Sequence, residues 1–295
     1  MKIKDVVILV GGLGTRLGSI TKKTPKPLIK INNIAFLDQL ICKLIKYNYK
    51  NIYFLCSYKK KLFFKKYNNK YFHNTKLICI DEGKAKGTGG ALFRLKDKIK
   101  HNFILINGDT YFDIDFNFLN KIKLIKENIF MCLTYRKKSI NNNKLNKLII
   151  KNKKVKISKT NTDFINGGVY LLNSKIIQSI ENKYCSFEDD ILHEEIKKNK
   201  VAGKLFKDNF IDIGSHEKMG YIKKNPKMMQ NRCFFLDRDG VINKEIGYVT
   251  SFKEFIFLKG VHKAIKYLND KRFIVILITN QAAIGKGIIS ETKLT

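Results

Sequence analysis

Arginine is scarce in this sequence. Only six of its 58 basic residues are arginine, so lysines spread along the whole chain carry most of the formal net charge of +33. Arginine is the side chain that makes bidentate contacts with phosphates and bases, and its scarcity argues against a dedicated nucleic-acid surface. A general attraction for anionic substrates remains, although physiological salt screens it beyond about 8 Å.

Long apolar runs and paired cysteines are also lacking. No run approaches the roughly 18 apolar residues of a membrane span, and the apolar stretch near the N-terminus leads directly into glycines, unlike a signal peptide. No two cysteines have C-x-x-C spacing, which argues against a metal site or a disulfide framework. We therefore expect a cytoplasmic protein without membrane contact, whose reduced thiols are Cys42, Cys56, Cys79, Cys132, Cys185 and Cys233.

Short apolar runs alternate with segments of helical period over the first hundred residues. This alternation predicts an α/β fold, with a Rossmann-like mixed, mainly parallel sheet and helices on both faces. Strand-like runs with few helices between them, and a loop at 141–143, indicate a partly antiparallel extension over residues 129–172. We predict a first domain over residues 1–225, a polar linker over 226–231, and the beginning of a second α/β domain over 232–295.

A glycine-rich segment, GGLGTRL at residues 11–17, follows the first predicted strand, and the triplet PKP follows at residues 25–27. Glycines at the carboxyl end of a strand allow backbone N–H groups to approach a phosphate, and the cations Arg16 and Lys26 can stabilise charge on a pyrophosphate. The spacing matches neither the dinucleotide nor the P-loop fingerprint. A tight glycine-rich turn is the alternative interpretation, which two cations at these offsets disfavour.

These two motifs resemble the signature of the sugar-1-phosphate nucleotidylyltransferase family. Further motifs of that family recur in order within residues 5–225: EG at 82–83, GTGGA at 87–91, NGDT at 107–110, NGGVY at 166–170, ED at 188–189 and DIG at 212–214. The resemblance implies that a nucleotide binds to Gly11, Gly12, Gly14, Thr15, Glu82, Gly87, Thr88 and Gly89. It implies that a sugar phosphate binds to Asn166, Gly167, Glu188 and Lys159.

The resemblance also implies the chemistry. In this family a phosphate oxygen of the sugar 1-phosphate attacks the α-phosphorus of a nucleoside triphosphate in line, and pyrophosphate leaves. The implied ligands of Mg²⁺ are Asp109 and Asp212, and the implied catalytic cations are Arg16 at the pyrophosphate and Lys26 at the reacting phosphates. Carboxylate oxygens suit Mg²⁺, and catalysis then consists of alignment and charge neutralisation.

The sequence departs from the family in one motif. The family commonly has a Glu-Lys pair on the strand before the sugar turn, whereas this chain has Ser158 followed by Lys159. Lys159 is the expected counterpart of the family's lysine, in a register that the sequence leaves open by a few residues.

A motif of another kind begins the C-terminal region. The run CFFLDRDG ends a predicted strand in Asp237 and Asp239, whose side chains point to the same side of an extended chain. This resembles the haloacid dehalogenase superfamily of phosphatases. The resemblance implies Asp237 as nucleophile, Asp239 as general acid/base, both as metal ligands, and Thr279 and Asn280 as phosphate ligands. Later motifs of that superfamily have no counterpart before Thr295, so we expect an incomplete HAD-like phosphatase domain.

The segments INGDTYFDID and FINGGVYLLNS are most similar to the nucleotidylyltransferase branch that joins GTP and a heptose 1-phosphate. A heptose bisphosphate phosphatase would supply that substrate, so both regions fit one route of nucleotide-sugar biosynthesis. Mannose 1-phosphate or glucose 1-phosphate is the alternative substrate, and a non-catalytic nucleotide-sugar-binding module is the alternative of another class. We expect Mg²⁺ as cofactor, a nucleoside triphosphate and a sugar 1-phosphate as partners, and neither nucleic acid nor membrane; a homo-oligomer is left open.

Overall fold

The structure is a computed structural model of the chain, and it describes residues 3–135, 147–229, 232–271 and 273–294. The chain divides into two compact units, residues 1–230 and residues 231–295, each with its own sheet. The loop predicted at 141–143 lies outside the described residues. In the part of the chain that is described, no helix is both long and apolar enough to cross a membrane.

Strands make up the centre of the first unit. They are, in chain order, β1 Asp5–Leu9, β2 Lys30–Ile31, β3 Ile34–Ala35, β4 Asn51–Cys56, β5 Lys70–Phe72, β6 Thr75–Asp81, β7 Phe103–Asn107, β8 Thr110–Phe112, β9 Ile129–Tyr135, β10 Leu148–Lys151, β11 Lys154–Ile157, β12 Phe164–Leu172, β13 Val201–Phe206 and β14 Phe210–Asp212. Ten of them form one sheet in the order β10-β11-β13-β9-β12-β7-β1-β4-β6-β5. Strands β7, β1, β4 and β6 run parallel, as do β9 and β13, whereas the other neighbours are antiparallel. The predicted mixed sheet with an antiparallel extension is thereby confirmed.

Strand β1 illustrates why the sheet is buried on both faces. Val6 and Ile8 pack into one hydrophobic cluster and Val7 into another, because alternate residues of a strand point to opposite faces. All three side chains are fully buried. The register places Leu9 at the end of β1 beside Asn107 at the end of β7. Two parallel strands therefore end together, which is where α/β sheets place their ligands.

Helices cover both faces of this sheet. The α-helices of the first unit are α1 Ser19–Lys23, α2 Phe36–Leu44, α3 Lys60–Tyr67, α4 Gly87–Gly90, α5 Asn117–Asn120, α6 Lys175–Ser179, α7 His193–Lys197 and α8 His216–Lys224. The 3-10 helices are Thr15–Leu17, Lys26–Leu28, Ile45–Tyr47, Ala91–Leu95 and Pro226–Met228, and a π-helix spans Phe187–Leu192. Helices α2 and α3 contribute to the cluster that contains Val6, whereas α6 and α7 contribute to the cluster that contains Val7.

A small antiparallel ribbon of β8 and β14 was not expected from the sequence, because strands of three residues have no readable alternation. Its register pairs Thr110 with Asp212. The backbone N–H of Ile213 donates a hydrogen bond of 2.9 Å to the carbonyl oxygen of Asp109. The ribbon thus brings together two aspartates that are far apart in sequence.

The first unit extends beyond the boundary predicted at residue 225. Pro226–Met228 is a 3-10 helix, and Met229 is buried in a cluster that includes Met219 and Ile222 of α8. The segment looks polar in sequence, but the single side chain of Met229 attaches it to the core. Residues 230 and 231 of the predicted linker lie outside the described residues.

The second unit has a two-stranded parallel sheet of β15 Cys233–Leu236 and β16 Ile274–Leu277. The helix α9 Val261–Asp270 lies between these strands in sequence. The other helices of this unit are a 3-10 helix at Phe252–Glu254, α10 Ala282–Gly285 and α11 Glu291–Leu294.

Candidate active site

A cavity of about 590 Å³ opens at the carboxyl ends of β1 and β7 in the first unit. Its lining includes most of the residues that the sequence predicts for the nucleotide, together with Arg16, Lys26, Asp109 and Glu188. Residues from six separate stretches of the chain therefore meet at one edge of the sheet. This is the place where the topology of an α/β sheet provides a crevice.

The glycine-rich segment forms one wall of the cavity. Gly14 has a φ of +65°, which a residue with a side chain rarely adopts, and it leads into the 3-10 helix that carries Arg16. The hydroxyl of Thr21 donates to the carbonyl oxygens of Gly14 and Gly18, both at 3.1 Å. These contacts fix the turn while leaving Arg16 exposed at the cavity.

Glu82 is a buried residue at the cavity, beside Gly11 of the glycine-rich segment, with 7% of the residue exposed. Burial, assisted by the negative charge of Asp81, raises the pKa of Glu82 to about 7. Within the described residues no hydrogen bond or ion pair reaches its side-chain oxygens. These oxygens are not among the fully buried atoms that lack a partner, so they reach the cavity and are available to a ligand.

Helix α4, Gly87–Gly90, is held by the segment that precedes Glu188. The N–H groups of Gly89 and Gly90 donate to the carbonyl oxygen of Cys185 at 2.9 and 3.0 Å, and the N–H of Cys185 donates to the carbonyl oxygen of Lys86 at 2.8 Å. A Cβ atom at Gly87 would lie 2.4 Å from that same Cys185 oxygen. The glycines are therefore required by the close approach of the two segments.

Glu188 is anchored through both carboxylate oxygens. The Thr88 hydroxyl donates to Oε2 at 2.9 Å, and the Asn107 amide donates to Oε1 at 3.3 Å. Thr88 in turn accepts a hydrogen bond of 2.8 Å from the N–H of Phe187. The Asn107 Oδ1 atom is buried and has no partner within the described residues. Asn107 and Glu188 together offer acceptors to a polar ligand in the cavity.

The predicted sugar turn coincides with an irregularity in β12 between Asn166 and Val169. The Asn166 Oδ1 atom accepts a hydrogen bond of 2.9 Å from the N–H of Gly168, and a Cβ atom at Gly167 would lie 2.5 Å from the ring of Phe112. The turn packs against β8, but Asn166 and Gly167 do not line the cavity.

Lys159 is exposed in the loop after β11 and is not part of the cavity lining. The structure therefore does not bring this lysine together with the other predicted residues of the site.

Each of the two aspartates predicted as metal ligands forms an ion pair with a lysine ammonium. Lys26 Nζ contacts Asp109 Oδ2, and Lys218 Nζ contacts Asp212 Oδ2. The second oxygen of Asp212 accepts a hydrogen bond of 2.9 Å from the N–H of Gly214. The sequence does not indicate a role for Lys218, because it is one of many lysines. Only its position on α8 directs its side chain to Asp212.

The two aspartates have the donor chemistry that Mg²⁺ requires, since both present carboxylate oxygens on neighbouring backbone segments. No group of three or more His, Cys, Asp or Glu side chains that could hold a metal occurs in the described ranges. A metal here would therefore draw further ligands from a bound phosphate or from water.

The predicted phosphatase residues of the second unit lie at the carboxyl ends of β15 and β16. Arg238 donates to both oxygens of Asp239 at 3.0 and 2.9 Å. Gln281 donates to Asp239 at 3.0 Å and to the Thr279 hydroxyl at 2.6 Å, so these two predicted residues are connected. Burial opposes ionisation of Asp239, but the hydrogen bonds led by Arg238 outweigh it and lower the pKa of this carboxyl. Asp237 accepts from the backbone N–H of Arg238 at 2.6 Å, and Asn280 is exposed.

Comparison with known proteins decides the family of the first unit. The profile of the family described as nucleotidyl transferase matches residues 5–230. The chain belongs to the nucleotidyl transferase family.

Individual members of this family are similar over nearly their whole length. This chain is 37% identical over 220 residues to the D-glycero-alpha-D-manno-heptose 1-phosphate guanylyltransferase of Campylobacter jejuni subsp. jejuni serotype O:2. The match covers 72% of this chain and 96% of that protein. The chain is 31% identical over 218 residues to the protein of the same name from Aneurinibacillus thermoaerophilus, with 71% and 93% covered.

A solved structure agrees with the fold. The crystal structure of HddC from Yersinia pseudotuberculosis complexed with GMP-PN superposes with a TM-score of 0.62 at 30% identity, covering 76% of this chain and 99% of that one. The mixed α/β fold predicted for the first domain of this nucleotidyl transferase is confirmed.

Proposed function

We propose that this nucleotidyl transferase moves GMP from GTP to D-glycero-α-D-manno-heptose 1-phosphate and releases pyrophosphate. The observation that carries the choice of base is the Glu82 carboxylate, which is buried at the cavity wall and lacks a donor among the described residues. The choice of sugar rests on the names of the two guanylyltransferases to which the chain is similar.

Glu82 favours guanine because an ionised carboxylate has only acceptors. The N1–H and N2–H₂ groups of guanine are adjacent donors, so both carboxylate oxygens can accept from one base edge. Adenine, cytosine and uracil each place at least one acceptor on the corresponding edge, which would face the carboxylate. Hydrogen bonds to a charged acceptor contribute about 1.5–3 kcal/mol each, enough to discriminate strongly among bases.

The triphosphate would lie along the glycine-rich segment, with Arg16 and Lys26 as its cations. A phosphate oxygen of the sugar 1-phosphate forms a bond to the α-phosphorus, the bond from that phosphorus to the bridging oxygen breaks, and pyrophosphate departs with the negative charge. Mg²⁺ held by Asp109 and Asp212 would neutralise charge on the phosphates. Arg16 would stabilise the leaving pyrophosphate, and Lys26 the reacting phosphates, so no protein nucleophile is needed.

The sugar would bind beside Glu188. Its oxygens are oriented by Thr88 and Asn107, and they retain lone pairs that can accept hydrogen bonds from sugar hydroxyls. Asn166 and Gly167 would shape this side through the turn in β12. Mannose 1-phosphate and glucose 1-phosphate remain the competing substrates, since Glu188 would accept hydrogen bonds from any hexose.

For the second unit we propose a HAD-like phosphate site, in which Asp237 would be the nucleophile. The connection from Asp239 through Gln281 to Thr279 supports it, because it gathers a carboxylate and a hydroxyl at the ends of two parallel strands. A phosphate bound at Thr279 and Asn280 would face Asp237.

The test is pyrophosphate release across a matrix of four nucleoside triphosphates and three sugar 1-phosphates, those of the heptose, mannose and glucose. GTP with the heptose phosphate should give the highest kcat/KM. A preference for mannose 1-phosphate by about tenfold, equivalent to about 1.4 kcal/mol in transition-state binding, would reject the heptose assignment. No release with any pair would reject the enzyme assignment in favour of a binding module.

A further inference from the structure

Lys218 is a buried lysine that the proposed reaction does not use. It lies on α8, with only 7% of the residue exposed, and its ammonium contacts Asp212. Because the N–H of Gly214 occupies the other oxygen, both oxygens of Asp212 are engaged in the structure. Each oxygen keeps a second lone pair, so a metal that binds this carboxylate competes with the ammonium of Lys218 for its negative charge.

Asp109 is compensated in the same way. Lys26 is 8% exposed, and its ammonium contacts the carboxylate of Asp109. A third cation lies nearby, since a Cβ atom at Gly214 would be 3.6 Å from Arg16 Nη2. Three positive side chains, those of Lys26, Lys218 and Arg16, thus lie beside the two aspartates.

This charge balance disfavours a metal ion that arrives alone. A divalent cation that arrives alone would meet carboxylates whose charge is already compensated by lysine, and it would leave two buried ammonium groups without their carboxylates. A nucleoside triphosphate offsets both obstacles to metal binding. Its phosphates supply negative charge to the metal and hydrogen-bond acceptors to the displaced lysines.

We infer that Lys218 and Lys26 are resident counter-ions of the two aspartates and that divalent metal binds this chain only together with nucleotide. Lys218 is a positioning residue in this scheme, since it acts through Asp212. The inference rests on the proposed metal role of Asp109 and Asp212.

Binding of Mn²⁺ measures the effect directly, by equilibrium dialysis and by the EPR signal of free Mn²⁺. The whole chain is titrated with Mn²⁺ alone, and then with a GTP analogue that has a methylene group between the α- and β-phosphorus. The analogue without protein provides the blank. Protein-bound Mn²⁺ should appear only with the analogue, with an apparent affinity at least about tenfold higher than without it.

Two substitutions separate charge from hydrogen bonding at this position. Lys218→Met and Lys218→Gln both remove the positive charge, and the amide of Gln keeps a donor for Asp212. Both variants should bind Mn²⁺ without nucleotide at least about tenfold more tightly than the unmodified chain. Lys223→Met is the matched control, because it removes an exposed lysine from the same helix and should change nothing.

The outcomes distinguish the inference from the proposed function. Equal Mn²⁺ affinity with and without the analogue would overturn the inference while leaving the metal site intact. A Gln variant that still binds no free Mn²⁺ would also overturn it, since the charge would then not be responsible. No bound Mn²⁺ under any condition would refute the metal site itself.

Discussion

The side chain of Glu82 occupies the space beside Gly11, where a Cβ atom would lie 2.5 Å from Glu82 Oε1. The absence of a side chain at residue 11 therefore allows a buried carboxylate to lie at the wall of the cavity. Two motifs that are 71 positions apart in the sequence depend on each other through this one contact.

Gly11→Ala should lower the free energy of unfolding by roughly 1–3 kcal/mol, because the new methyl group forces the buried Glu82 side chain to move. Urea denaturation measures the change. In a Glu82→Ala background the same substitution should cost much less. Gly220→Ala is the control, since no atom lies within 4 Å of its Cβ position. An equal cost in both backgrounds would contradict the contact as the cause.

Glu82→Gln should change the preferred base. The amide offers one acceptor and one donor, which leaves one guanine donor unmatched but fits the N3–H and O4 of uracil. The kcat/KM for GTP should fall by about tenfold to a hundredfold, and that for UTP should rise. The neighbouring substitution Asp81→Asn is the control, because Asp81 is outside the cavity lining and should keep GTP first. An unchanged ranking of bases in Glu82→Gln would place the guanine elsewhere.

The pH dependence of GTP binding should report the raised pKa of Glu82, which is about 7. Below that pH the carboxyl is protonated and one oxygen becomes a donor, so KM for GTP should rise as the pH falls. Asp81→Asn removes a negative charge that raises this pKa, and should move the inflection to lower pH. Glu82→Gln should abolish it. An inflection that persists in Glu82→Gln would belong to the triphosphate or to another residue.

Asp109→Asn and Asp212→Asn should each reduce metal-dependent transfer by roughly a hundredfold while the chain remains folded, because the charge is lost without a change in size. Steady-state kinetics at several Mg²⁺ concentrations provide the measurement, with circular dichroism as the check on folding. Asp97→Asn removes a fully exposed carboxylate and should leave the rates unchanged. Near-normal rates in both variants would exclude the two aspartates as metal ligands.

The order of apolar runs and helical segments along the sequence predicts the fold better than it predicts the site. The parallel strands around β1 follow from apolar runs such as 6–10 and 103–106, because a buried strand must be apolar on both faces. The ribbon that joins Asp109 to Asp212 could not be predicted, since its strands have three residues each. Met228 and Met229 are likewise the two methionines of an otherwise polar segment, too few apolar residues to indicate that Met229 is buried.

The candidate site also has one part that the sequence predicts and another part that it does not. Glycine motifs identify the nucleotide wall, because close backbone approach leaves glycine as the one suitable residue. The pairing of Lys218 with Asp212 and the missing donor at Glu82 arise from tertiary contacts, which have no local pattern. Lys159 is predicted only from the resemblance to a strand motif of the family, and the structure leaves it exposed and outside the cavity lining.

The hydrogen bonds that join Gly89, Gly90 and Thr88 to Cys185, Phe187 and Glu188 also limit how this enzyme can be re-engineered. Consider a chimera in which residues 184–189 come from a relative with another sugar preference. It would keep the glycines of this chain at 87–90, which fit the original segment 184–189 and not the imported one. The two segments therefore behave as a single cassette. Transplanting both segments together preserves the hydrogen bonds between them. Exchanging one segment alone breaks these hydrogen bonds and changes the orientation of Glu188.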